Sequence, residues 1–172
     1  GYARKTTPHI DALAASGAVF TQAYTYWPKT RGSFVAILTG RRAAQTGYGK
    51  ARPSLLDFNP TIASVLKEAG YRTAALVDNP NVAAALGYSK GFDTYRETFE
   101  EKALVDEAAK TRAISDGAIS FLRETPRDRP FFLWLNFSAP HHVWNAAADA
   151  PPPPPQHQPP PRPDHPPQPP HH

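Results

Sequence analysis

No cysteine occurs among the 172 residues, so neither a disulfide nor a thiolate metal site can hold or equip this chain. That absence says little about compartment. No stretch approaches the run of about 18 apolar residues that a membrane helix needs, and no signal peptide opens the chain. It begins at "GYARKTT" without a methionine, which leaves an upstream signal or membrane anchor, and with it localisation, open. There is no Walker loop, GxGxxG or HExxH, so nucleotide binding has no motif behind it. The formal net charge is only +4, and its cations are scattered with some density in the first third. Such a balance suits a small anionic substrate. Without an arginine-rich stripe or reader motif, no nucleic-acid partner is expected.

What is present is unevenly spread. Residues 151–172 hold 13 of the 21 prolines and four of the seven histidines. Such a segment cannot bury enough apolar surface to offset its ordering entropy. The globular part is therefore expected over residues 1–144, followed by a Pro/His-rich disordered tail over 145–172.

Within the globular part, helices and buried strands alternate. "TTPHIDALAASGAVF" reads as a helix with Thr7 as N-cap and Pro8 at N1. Ile10, Leu13 and Ala14 share a face, and Gly17 suits a left-handed C′ position. Val19–Tyr24 then alternates as a strand does. "SFVAIL", ending at Thr39-Gly40, reads as a short buried helix. "NPTIASVLKEAG" repeats that grammar, with Thr61 near its start, Ile62, Val65 and Leu66 inward, and Gly70 at its end. "YRTAALV" is a buried strand, "DNPNVAAALGY" a loop with a short helix, and "GFDTYRE" a turn with an edge segment. The longest helix is expected over 101–124, with Leu104, Ala108, Ile114, Ala118, Phe121 and Leu122 in phase. "FFLWLNF" reads as a central parallel strand covered on both faces. The pattern predicts an α/β domain with a mostly parallel sheet, whose active groups gather at the carboxyl ends of strands.

Two loops then carry the candidate chemistry. In "YWPKTRGSF", Thr30 lies between Lys29 and Arg31. Thr30 or Ser33 can simply cap the following helix. Alternatively, a hydroxyl at a helix N-terminus flanked by cations sits where backbone N–H groups hold oxyanions. A threonine hydroxyl is a weak nucleophile, so that second reading demands an activating metal or base. After "FFLWLNF" come His141 and His142, either solvated loop residues or site residues. Asp78 and Asn79 end the other clear strand as ligands or as turn formers.

"TPHIDALAASGAVFTQAYTYWPKTRGSFVAILTGRR" resembles the opening block of the sulfatase branch of the alkaline phosphatase superfamily. "TIASVLKEAGYRTAALV" and "GFDTYRE" resemble its next two blocks, and "RPFFLWLNFSAPHHVW" resembles the strand that ends in its PHxPY-like motif. Four blocks stand in order over about residues 2–144. The resemblance implies an incomplete alkaline-phosphatase-like fold, a mostly parallel sheet flanked by helices. It also implies cleavage or transfer of sulfate or phosphate esters by metal-assisted nucleophilic displacement.

In cysteine-type sulfatases the formylglycine precursor lies nine positions before the threonine of LTGR, which here is Thr30. Threonine cannot become formylglycine, and "TRGSF" lacks the proline and arginine of CxPSR. Threonine at this slot resembles the phosphoglycerol and phosphoethanolamine transferases of the superfamily. On that carry-over Thr30 is nucleophile and metal ligand, Lys29 and Arg31 grip the substrate's oxygens, and His141 matches the PHxPY histidine that contacts the transferred group. His142, Val143 and Trp144 depart from that motif. The lysine-histidine block that sulfatases carry after "GYRTA" is replaced by "DNPN".

The resemblance implies a divalent metal (Ca, Mn, Zn or Mg) in the full-length family. Its other ligands fall outside the resembling blocks. The expectation is therefore that this chain neither holds the metal nor turns over. Family members are often periplasmic, extracellular or membrane-anchored; oligomeric state is not implied. The alternative is a non-catalytic chain whose Pro-rich tail binds SH3- or WW-like partners through PxxP spacings. Every residue of 151–172 except Asp164 is of a type (Pro, His, Gln, Arg) that has codons beginning with C, as expected of a frameshift product. The neighbouring reading frame from about residue 142 should then encode a proline-rich "PY" loop followed by Asp-His or Asp-Asn ligands. Sequencing the genomic DNA checks this, and a frame without those ligands leaves the tail a genuine polyproline segment.

Overall fold

The computed structural model describes residues 7–49, 54–55, 59–139 and 141. The expectations for the tail, its reading frame and its partners, and for His142, Val143 and Trp144, lie outside the described residues.

Three strands form one parallel sheet in the order β2-β1-β3, with β1 at Arg72–Val77, β2 at Thr94–Glu97 and β3 at Phe131–Asn136. Val77 aligns with Glu97 on one side and with Asn136 on the other, so the three carboxyl ends lie level. Among the described residues four α-helices accompany the sheet: α1 at Pro8–Ala15, α2 at Thr30–Thr39, α3 at Ile62–Glu68 and α4 at Glu107–Glu124. This is the α/β arrangement that the alternating pattern implies.

From Ala74 to Val77, β1 is apolar because both of its faces are covered. Ala75 and Val77 join Val35 and Leu38 of α2, Ala63 of α3, Tyr88 and Phe92 in one buried cluster, against which Phe132 and Trp134 pack. On the other face, Leu76 lies against Gly117 of α4, and Phe121 meets Phe131 edge-on with ring centroids 5.9 Å apart. Each fully buried aliphatic side chain contributes about 1.5–3 kcal/mol. This two-sided burial therefore outweighs the modest β preference of its alanines.

Several expectations are corrected. The central strand among the described residues is β1; "FFLWLNF" forms an outer strand, and its Phe131 is 46% exposed. Val19–Tyr24 forms no strand. Phe20 and Tyr24 are 83% and 87% exposed, because alternation cannot hold a strand that has no neighbour to complete its backbone bonds. For the same reason α1 buries none of its residues, although Ile10 and Leu13 do share a face. Gly17 is not left-handed; α1 ends at Ser16 with φ −104°.

α3 turns Ile62 and Val65 outward and buries Ala63. There Gly91, at φ +87°, brings its backbone against Ala63 and Ser64 so closely that a Cβ would collide with the Ser64 nitrogen, and only a small residue fits the facing position. α4 begins at Glu107 rather than 101, since the Asp106 carboxylate accepts the Ala109 N–H at 2.6 Å and caps it there. Leu104 thus precedes the helix, and Leu122 is exposed.

The turn into β2 is tied to the start of β1 by a reciprocal pair. Thr73 N–H donates to the Asp93 carboxylate at 3.0 Å, and Asp93 N–H donates to the Thr73 hydroxyl at 2.9 Å. Lys67 of α3 completes the cluster at 2.8 Å from Asp93. The Lys67 hydrogen bond, then that of Thr73 N–H, holds the Asp93 carboxyl below its ordinary pKa. A depressed folded-state pKa contributes stability above the ordinary carboxylate value and loses it as pH falls through the folded one. Asp93→Asn should therefore cost about 1 kcal/mol at pH 7, solvent screening keeping the figure small. That cost should shrink towards zero as pH drops below about 4. Urea unfolding of both proteins at neutral and acid pH measures it; a pH-independent difference would contradict this account.

Candidate active site

Thr30 is the first residue of α2, and Lys29 is the extended N-cap, without a side-chain cap bond. Neither hydroxyl of the loop caps the helix. Ser33 Oγ instead pairs with Thr25 Oγ1 at 3.1 Å, and the Thr30 hydroxyl makes no hydrogen bond among the described residues. The loop-to-helix bond from Ser33 N–H reaches the Lys29 carbonyl, so the N–H groups of Thr30, Arg31 and Gly32 have no acceptor inside the helix. A cleft of about 500 Å³ opens over this turn, lined by Pro28, Lys29, Thr30, Arg31, Tyr48 and Asn81.

The turn is fastened from below. Tyr88 is fully buried and its hydroxyl donates to the Arg31 carbonyl at 2.8 Å. Burial raises its pKa well above the ordinary tyrosine value, so it stays a protonated donor. The Trp27 indole lies against Gly32, where an added Cβ would come within 2.6 Å of ring atoms. Trp27 also meets Tyr48 edge-on at 6.1 Å. From the loop after β1, Asn81 Oδ1 accepts the Arg31 Nε–H at 3.2 Å.

The structure brings Lys29, Thr30 and Arg31 into one cleft. His141 is exposed on the turn after β3, where its N–H donates to the Ser138 carbonyl at 2.6 Å. It is not among the cleft-lining residues. Ser138 in turn donates to the Asp78 carbonyl, tying that turn to the end of β1. Asn79 acts as a turn former, its side chain accepting the Asn81 N–H at 3.0 Å. Asp78 is buried, and that burial raises its carboxyl pKa against the opposing Lys110, 3.7 Å away. Tyr48 and Asn81 escaped the sequence reading. For Asn81 a signal existed: it belongs to a polar cluster directly after a buried parallel strand.

The cleft lining among the described residues offers no ligand set suited to a divalent ion. Among the described residues no three His, Cys, Asp or Glu side chains cluster as ligands. Around Thr30 the cleft offers two cations and neutral groups, which disfavour a dication.

The Sulfatase family model matches residues 1–164. The chain belongs to the sulfatase family. Among its sulfatase relatives, it is 28% identical to the N-acetylglucosamine-6-O-sulfatase of Bacteroides thetaiotaomicron over 152 residues, 82% of this chain and 27% of that protein. It is 30% identical to the human N-sulphoglucosamine sulphohydrolase over 140 residues, 78% of this chain and 27% of the relative. The sulfatase chain thus spans about a quarter of the length of these relatives. The solved structure of BT4656 in complex with its substrate D-glucosamine-2-N,6-O-disulfate superimposes with a TM-score of 0.67 at 25% identity, covering 82% of this chain and 31% of that one. The C-terminal periplasmic domain of EcEptC from Escherichia coli, a Zn complex, shares the fold at a TM-score of 0.51 and 19% identity, over 80% and 38% of the two chains.

Gly32 tests how the turn is held. Gly32→Ala should displace the Trp27 indole, lower stability by about 1–3 kcal/mol and alter the near-ultraviolet circular dichroism. A variant that melts like the parent with an unchanged aromatic spectrum would show that the indole does not brace the turn.

Proposed function

We propose that the chain carries the nucleophile-bearing part of a site for sulfate or phosphate esters. In this reading Thr30 Oγ1 faces the sulfur or phosphorus, and Lys29 and Arg31 hold its non-bridging oxygens with the N–H groups of the first α2 turn. His141 does not line the cleft, so its proposed contact with the transferred group requires the ester to extend from the cleft towards the turn after β3. Displacement would form a bond from Thr30 Oγ1 to sulfur or phosphorus while the ester bond to the leaving alcohol breaks. The Thr30 proton leaves with that alcohol. The observation that carries the reading is a hydroxyl with no hydrogen bond among the described residues, at the head of α2, between two cations, inside a cleft.

Sulfate is favoured over phosphate by the family and by the sulfated sugar bound to the BT4656 structure. Threonine at the nucleophile position keeps phosphate in the class, since it cannot mature as the sulfatase cysteine does. The cleft lining contains no carboxylate or imidazole to take the Thr30 proton. This chain is accordingly an anion binder whose turnover needs groups beyond the described residues.

Titration with inorganic sulfate should shift the backbone amide resonances of Thr30, Arg31 and Gly32. Arg31→Ala should weaken binding by about 10-fold to 100-fold, the worth of a charge-assisted hydrogen bond, and Thr30→Ala far less. Shifts centred elsewhere, or aryl sulfate or aryl phosphate turnover that survives Thr30→Ala, would overturn the assignment.

A further inference from the structure

The loop that follows β1 is more firmly built than a connector requires. The Asn79 side chain accepts the Asn81 N–H at 3.0 Å. Val82 is fully buried, and its carbonyl accepts the Tyr95 hydroxyl at 2.6 Å. The Glu97 carboxylate accepts the Ala84 N–H at 2.7 Å. Two anchors from β2 and one from the loop itself thus fix the backbone on either side of Asn81, whose side chain lines the cleft beside Arg31.

We propose that Asn81 is the positioning residue of the anion pocket: its amide oxygen pins the Nε–H of Arg31 and turns the guanidinium fork towards the bound oxyanion. This deepens the reading given under Proposed function and rests on it. The assignment of the amide is chemically constrained. Arg31 Nε can only donate, so the atom 3.2 Å away must be the carbonyl oxygen of Asn81. With Nε occupied, both terminal nitrogens of Arg31 remain without a hydrogen bond among the described residues, in the plane that matches two oxygens of a tetrahedral sulfate or phosphate.

A neutral amide suits this task better than a carboxylate. Aspartate at 81 would orient the guanidinium equally well but would neutralise the charge that the anion needs. Asparagine orients Arg31 and leaves its charge unspent. The ligand class that follows is a tetrahedral oxyanion gripped through two oxygens by an oriented arginine.

The test is a double-mutant cycle on the full 172-residue chain, with inorganic sulfate as the probe and amide shifts as the readout. Asn81→Ala should weaken sulfate binding by about threefold to tenfold, the worth of one ordinary hydrogen bond. In the Arg31→Ala background the same change should have no further effect, because Asn81 acts only through Arg31. The Arg31 Nε–H resonance should also lose its protection from solvent exchange in Asn81→Ala while the amides of β1 keep theirs, a signature that general loosening would not give. An unchanged affinity in Asn81→Ala, or an equal loss with and without Arg31, would overturn the proposal and leave the anion site standing. If Arg31→Ala binds sulfate as well as the parent, the anion site itself fails.

Discussion

The bracing of the start of α2, largely from the segment that leaves β1, is the constraint on which the site depends. Three contacts of different kinds make it: from that segment, the buried Tyr88 hydroxyl on the Arg31 carbonyl and Asn81 on the Arg31 side chain, and, from just before the helix, the Trp27 indole against Gly32. The first and third act on backbone and the second on a side chain. Between them they fix where the helix begins and where its first cation points. No hydrogen bond among the described residues engages the Thr30 hydroxyl, so these contacts brace the turn around a hydroxyl that they leave unengaged. Free hydroxyls at helix starts are uncommon because capping is the easy use for them; here the extended Lys29 backbone takes the N-cap position instead.

The sheet supplies the other half of the geometry. Parallel pairing brings the carboxyl ends of β1, β2 and β3 level, so the loops that leave them gather on one edge. β1 delivers Asp78, Asn79 and Asn81 there, and β3 delivers Ser138 and His141. The buried cluster of Val35, Val77, Tyr88 and Phe92 lies directly beneath. Packing and site are thus one argument: Tyr88 is both a core side chain and the donor that holds the turn. The segment from α1 to Tyr24 contrasts with this. Its apolar residues are exposed, and it contributes nothing to the core that supports the cleft.

Much of this was legible in the sequence where local chemistry and burial agree. β1 stands as expected, ended by Asp78-Asn79; the helix read at "SFVAIL" ends at Thr39-Gly40 as expected but starts three residues earlier, at Thr30, and leaves Ile37 exposed. The spacing from Thr30 to Thr39 located the loop. What failed was whatever depends on neighbours that the sequence cannot name. Val19–Tyr24 alternates like a strand but finds no pairing partner among the described residues. α3 turns Ile62 outward because Gly91 demands a small residue opposite. Asp106 overrides helical periodicity by capping α4 late. Asn81 carried a signal only as one of the polar residues after β1; its partner, an arginine fifty positions away, is set by the fold and not by any spacing.

The proposed site requires Thr30 to be the group that faces a tetrahedral anion held by Arg31 and the α2 start. Its most direct test is a crystal structure of the chain with orthovanadate, which forms esters with a suitably placed hydroxyl. The predicted result is vanadium bonded to Thr30 Oγ1, with its remaining oxygens on Arg31, Lys29 and the N–H groups of the first α2 turn. Vanadate bound away from this cleft, or seated in it with the Thr30 hydroxyl turned aside, would contradict the account.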